Sequence, residues 1–498
     1  MTGIDGLSLK YIKDSLPILN QFITCIINTS IVTGIFPNQW KHATVIPIYK
    51  KGDKLNPANY RPISLLPILS KVLEKTVAAQ LLIHLHEFNL LSNYQFGFRP
   101  NLSTENALTM VTDTLYQTME DGNITLLTLL DLSKAFDSVN HTLLLSKLKK
   151  VNCDTFWFSD YLTNRKQSVK INKITSMQNE IKFGVPQGSI LGPLLFIIFI
   201  NDLFETFNDV QLVGYVDDLQ VLLTDKPENH LAIKNRAETS LNRLMSWYRK
   251  NGLKLNPDKT ECIMFGSKNL LKKIPSNFSI QFANTTIHPS KNVRNLGVHF
   301  DESLSFESHI NKACAKANQA LVRINRVKHL LDQQTRIIAV NSLALSHLNY
   351  CSTIWGTCSK KVSQIAQRSQ NFAVKVMANG NYNKRDHVTP LIKNLEILNM
   401  ENKYKYNLCS LMYKILNSIL PNWLTSFHEN ENHSDRNTRQ SENLFIPYRR
   451  TTAGKQTLNI RGGALWNTLP SALKRSRTLP TFKSNLHKYL LAIQNANE

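Results

Sequence analysis

Three aspartates stand where a nucleotidyl transfer could use them. Asp131 follows the apolar run Ile124–Leu130 and opens the segment Leu132-Ser133-Lys134-Ala135-Phe136-Asp137, and much later Tyr215-Val216-Asp217-Asp218 places two more carboxylates at what reads as a tight turn. Carboxylates at the ends of two adjacent strands are what two-metal phosphoryl transfer needs. Hard Mg2+ ions take oxygen ligands, and a pair of them roughly 3.5 to 4 Å apart steadies both the attacking and the leaving oxygen. One ion would activate a primer hydroxyl and the other would hold a triphosphate. Each motif taken alone also suits a plainer role, Asp131 as the cap of a following helix and Asp217-Asp218 as a hairpin turn.

The elements that must position these residues are legible as periodicity. Asp121-Gly122 turns the chain into Ile124–Leu130, a buried strand that ends at Asp131, and Val210–Tyr215 with Leu219–Leu223 forms a strand, turn, strand unit around Asp217-Asp218. Helical spacing runs over residues 7–31, ended by Gly34 and Pro37, and over Ile68–Phe88, Ala107–Met119 and Ser133–Lys150. Ala43–Tyr49 reads as a strand leading into a basic hairpin or loop at Lys50-Lys51-Gly52-Asp53, and Val169–Ile174 as another strand. A Gly/Pro-punctuated loop, Gly184–Ser189, precedes a helix over Leu194–Leu203. Beyond about residue 300 the strand signals fade into helical patterns at Ile310–Leu331, Thr335–Leu348 and Lys403–Leu420, with a polar linker at 429–445. The alternation predicts an α+β architecture, and 498 residues predict more than one domain.

Composition narrows the partners. Fifty-nine Lys and Arg against 36 Asp and Glu give a formal charge of +23, which points to a polyanion, nucleic acid before an acidic membrane surface. The seven cysteines are scattered without a C-x-x-C pair or zinc spacing and read as free thiols in a reducing compartment. No secretion signal opens the chain, and Ile190–Ile200, the longest strongly apolar stretch, is too short to span a bilayer, so the chain reads as soluble, intracellular and without a membrane partner.

Short motifs in a fixed order sharpen this reading. They begin with Gly34-Ile35-Phe36-Pro37, Asn59-Tyr60-Arg61-Pro62-Ile63-Ser64 and Gln95-Phe96-Gly97-Phe98-Arg99. They continue with Leu130–Asp137, Gly184-Val185-Pro186-Gln187-Gly188-Ser189, Tyr215–Asp218 and Leu253-Lys254-Leu255-Asn256-Pro257-Asp258-Lys259-Thr260. Together they resemble the reverse transcriptases of non-LTR, LINE-type retrotransposons, in particular the Jockey-like branch, over nearly the whole chain.

The resemblance implies a right-hand polymerase: fingers and an N-terminal extension over 1–125, a palm over 126–300 with part of the fingers interleaved, a thumb over 301–350 and a basic, mainly helical region over 351–498. It implies that Asp131, Asp217 and Asp218 hold two Mg2+ ions, with Mn2+ as a substitute, and that the chain extends a DNA primer or target on an RNA template with deoxynucleoside triphosphates. Phe136 is expected under the incoming sugar, where it would exclude a 2′-hydroxyl. Gln187 and Gly188 would line the nascent base pair, Lys50 or Lys51 with Arg61 would meet the triphosphate, and Lys259 would protonate pyrophosphate. Asn295-Leu296-Gly297-Val298-His299-Phe300 resembles the hairpin that grips the primer end, and Lys312, Lys316, Arg323, Arg326 and Lys328 would hold duplex phosphates. Action in the nucleus follows from the family's habit of priming on chromosomal DNA. Only about thirty residues precede the Gly34 motif, so this chain is expected to lack the endonuclease of related elements, and its start resembles an internal segment of a longer polyprotein. From residue 346 on the only aspartates are Asp386 and Asp435, so no RNase H is expected. A different class of function stays open: a catalytically silent RNA-binding relic of a truncated element.

Overall fold

The computed structural model describes residues 5–380, 382, 385–420 and 443–496. Positions 429–442 of the expected linker lie outside them, as does Thr2-Gly3-Ile4. The architecture is mixed α+β, and among the described residues the strands lie before residue 302, with helices beyond it.

At the centre is a four-stranded antiparallel sheet in the order Glu261–Phe265, Ile124–Leu130, Asp218–Asp225, Gln211–Tyr215. Its central strand is apolar on both sides because both sides are covered. Ile124, Leu126 and Leu130 join one core with the helix Leu191–Phe199, while Leu127 faces the other way into a second core with Val213, Leu222, Ile263 and the helix Thr104–Glu120. Each fully buried Leu, Ile or Phe stabilises by roughly 1.5 to 3 kcal/mol, so the strand that ends at Asp131 is held from both faces. A second, five-stranded sheet pairs His42–Tyr49 antiparallel with Tyr60–Leu65 and parallel with Lys166–Ile171. Beyond it, the helices Met400–Leu416, Leu458–Asn467 and Leu479–Ala496 build a third core, in which the Trp466 ring lies 5.7 Å from that of Phe482 and Leu469 is buried beside it.

Three expectations change. The helix foreseen over Ser133–Lys150 begins only at His141, where Asn140 accepts the Leu143 N–H as its cap; Lys134 takes a positive φ of 50° and Phe136–Ser138 forms one 3-10 turn. The helix foreseen over Leu194–Leu203 runs Leu191–Phe199 and is followed by a separate one, Asp202–Thr206. Leu191–Ile200 packs into the core while Ile190 stays exposed, and the segment long and apolar enough to cross a bilayer, by length and composition, is instead Leu9–Thr33, most of which is not buried inside the fold. Uncharged polar residues such as Asn20, Gln21 and Asn28 break its apolar run, which hides it in the sequence.

Candidate active site

Asp131 sits one residue past the strand Ile124–Leu130, and its carbonyl accepts the Asn256 N–H at 3.0 Å. Leu130 pairs with Leu219, so the next step of the same register sets Asp131 beside Asp218. Asp217 and Asp218 lie at the tight turn that joins the last two strands, where Tyr215 pairs with Asp218 and Val216 has a φ of 61°. Adjacent strands bring such residues within roughly 4.5 to 5.5 Å, close enough for the charges to act on one another.

That mutual action is visible in their acidities. Enclosure by protein pushes the Asp217 carboxyl up and the Asp131 charge adds to the rise, while Lys50 and Arg61 pull it back. Asp218 is pushed up to about 6, first by enclosure, then by Asp217 and Asp131. The fold thus gathers Asp131, Asp217, Asp218, Lys50 and Arg61 into one field. Lys259 is brought in directly: its Nζ lies 2.9 Å from Asp131 Oδ2. Among the described residues no three His, Cys, Asp or Glu side chains converge tightly enough to hold a metal ion as they stand. The donor set nonetheless suits a hard divalent cation: three carboxylates at neighbouring strand ends, two of them, Asp217 and Asp218, held where enclosure and neighbouring charge disfavour ionisation, with an ammonium drawn to Asp131.

Phe136 stacks on Phe196 with ring centroids 4.8 Å apart, and its carbonyl accepts the Val185 N–H at 2.9 Å. This ties the Gly184–Ser189 loop to the segment after Asp131. Gly184 presses against Asp137, where an added Cβ would sit 2.8 Å from the backbone. Gly188 has a φ of 122° and leaves only 2.5 Å between a Cβ and the Ser64 carbonyl oxygen, while the Gln187 carbonyl accepts the Ser64 N–H at 2.7 Å. The Gln187 side chain is engaged as well, its Nε2 donating to Asp137 Oδ1 at 2.9 Å.

Asn295 Nδ2 donates to Gln220 Oε1 at 2.6 Å, which pins the hairpin Asn292–Asp301 to the strand that begins at Asp218. Tyr350 donates its hydroxyl to the Leu296 carbonyl at 2.6 Å. On the helix Glu307–Arg326, Lys312, Lys316, Arg323 and Arg326 are exposed, three of them at i, i+4, i+11 spacing; Lys328 lies just beyond, half-buried.

Sequence reasoning missed Glu74. Fully buried on the helix Ile68–Glu87, it accepts the N–H groups of Ile190 and Leu191 and so caps the helix behind the Gly184–Ser189 loop. An acid in the apolar stripe of Leu73, Val77, Ala78 and Leu81 was the available signal.

The sequence pattern of the family described as reverse transcriptase (RNA-dependent DNA polymerase) matches residues 48–300. A probable RNA-directed DNA polymerase from transposon BS of Drosophila melanogaster is 30% identical over 80% of this chain and 45% of its own length. The corresponding protein of transposon X-element from the same fly is 27% identical over 72% of this chain and 40% of its own, and that of the mobile element jockey 29% identical over 58% and 32%. The chain therefore spans less than half the length of each of these relatives. Among solved structures, telomerase from Candida tropicalis with a fragment of telomeric RNA superposes at a TM-score of 0.40 and 13% identity over 82% of this chain and 68% of that one, too loose a likeness to bear on the fold.

Proposed function

Because the chain belongs to the reverse transcriptase (RNA-dependent DNA polymerase) family, we propose that it extends a DNA primer on an RNA template, as a non-LTR retrotransposon polymerase of right-hand architecture. The observation that supports this reading is the gathering of Asp131, Asp217 and Asp218 at neighbouring strand ends, with Lys50 and Arg61 acting on the same charges. In this reading the three aspartates hold two Mg2+ ions, which when bound supply charge neutralisation at the attacking and leaving oxygens.

The remaining work falls to the chain's own residues. Lys50 and Arg61 hold the triphosphate and offset the charge that grows on the departing pyrophosphate. Phe136, fixed by Phe196, blocks the space a 2′-hydroxyl would need. Gly188 brings its loop against the Ser64 strand so that its backbone, with Gln187, can border the nascent pair. Lys259 gives a proton to pyrophosphate, leaving its ion pair with Asp131 to do so. The cationic stripe from Lys312 to Arg326 holds the duplex by its phosphates, without reading sequence.

The test is extension of a labelled DNA primer on an RNA template by the whole chain with deoxynucleoside triphosphates and Mg2+. Template-directed extension is expected. Salt-sensitive RNA binding by folded protein that incorporates nothing would overturn it in favour of a binding protein.

A further inference from the structure

Val216 is the residue immediately before Asp217, and its backbone is in a place where a valine does not rest unaided. Its φ of 61° lies in the left-handed region, which a β-branched side chain enters only under constraint. The constraint comes from far away in sequence. The segment Tyr94–Phe96 lies alongside the strand Gln211–Tyr215: the Gly214 N–H donates to the Tyr94 carbonyl at 2.7 Å and the Phe96 N–H to the Gly214 carbonyl at 2.9 Å. This leaves the Gln95 side chain, 1% exposed, directed at the turn. Gln95 Oε1 accepts the Val216 N–H at 2.9 Å, and Gln95 Nε2 donates to the Val216 carbonyl at 3.3 Å. The same Oε1 also accepts the Gly97 N–H at 2.9 Å, which fixes the amide in place. Gly97 is needed for space: an added Cβ would lie 2.3 Å from Val216 Cγ2 and 2.7 Å from the Val216 nitrogen.

We infer that Gln95, with Gly97 clearing room for it, is a positioning residue for the reaction: its amide grips both backbone groups of Val216 and so holds Asp217 and Asp218 at their working height. The inference rests on the polymerase reading of those two aspartates. A primary amide suits the task because it presents an acceptor and a donor in one plane, matched to the N–H and C=O of a single residue. Relaxation of Val216 toward ordinary backbone would turn the peptide that leads into Asp217. A displacement of about 1 Å at reacting groups can cost on the order of 10²-fold in rate.

The test uses Gln95→Met, which keeps length and volume but removes the amide, made alone and with Val216→Gly, since glycine adopts positive φ without steric cost. Two readouts are taken on folded, primer–template-bound protein: the single-turnover incorporation rate and hydrogen exchange of the Val216 amide. We expect Gln95→Met to slow incorporation on the order of 10²-fold with primer–template affinity kept, to speed exchange at Val216, and to lose most of its effect on rate in the Val216→Gly background. Unchanged exchange at Val216, or an equal loss of rate in both backgrounds, would overturn the clamp. Faster exchange at Val216 in a protein whose wild type extends no primer would uphold the clamp and sink the polymerase reading instead.

Discussion

At the scale of single residues, Phe136 carries the sharpest consequence. Its ring is stacked on Phe196 and half-buried against the core that backs the sheet. Phe136→Ala should raise ribonucleotide use relative to deoxynucleotide use by about 10- to 100-fold, read as the ratio of the two kcat/KM values. Its cost in stability should be roughly 2 kcal/mol, below the 3 to 5 of a fully buried ring, so the variant should remain folded. An unchanged ratio in folded protein would mean that the ring only packs. Asp131, Asp217 and Asp218 could be located from sequence because an apolar strand leads to the first and two short strands flank the others. Gln95, Glu74 and Asp137 could not be read in that way, because each acts through a partner that is 50 or more residues away along the chain.

At the scale of elements, the loop Gly184–Ser189 depends on contacts with two other segments, at Asp137 and at Ser64. Gly188→Ala should cost about 1 to 3 kcal/mol through its positive φ and the clash at Ser64, and it should raise the KM for the nucleotide. Gly122 supplies the control, since it shares a positive φ of 74° but has open space where a Cβ would go. Gly122→Ala should lower the thermal midpoint and leave that KM unchanged. Equal KM values for the two variants would detach the loop from the nucleotide. The periodic strands Ile124–Leu130 and Gln211–Tyr215 form where their patterns put them. The stretch from Ser133 to Asn140 does not become the helix its periodicity suggests, because Lys134 turns left-handed and the Gly184 and Val185 N–H groups donate to the Val139 and Phe136 carbonyls. Periodicity reports which face is buried and says nothing of a distant loop that competes for the same backbone.

At the scale of the whole molecule, the distal helices are tied back to the sheet through the helix Thr104–Glu120. Asp113 accepts the Leu458 N–H at 2.9 Å, Glu120 accepts those of Arg450 and Thr451, and Arg461 donates to the Thr353 carbonyl and the Tyr404 hydroxyl. Enclosure pushes the Asp113 carboxyl from the ordinary 3.8 to about 6, although Arg461 opposes the rise. The folded state then binds the proton more tightly than the unfolded one. The stability this group contributes is full below about 3.8 and is lost as pH rises through about 6. Asp113→Asn keeps an acceptor for Leu458 and removes that dependence. Its thermal midpoint relative to wild type should therefore climb between those pH values and level off above them; a difference that stays flat across the range would contradict the shift. The central claim concerns the carboxylates, and the most direct measurement is single-turnover primer extension on an RNA template by wild type and Asp217→Ala at equal primer–template occupancy. Extension by wild type and none by the variant is the predicted result, and an Asp217→Ala protein that extends at the wild-type rate would contradict it.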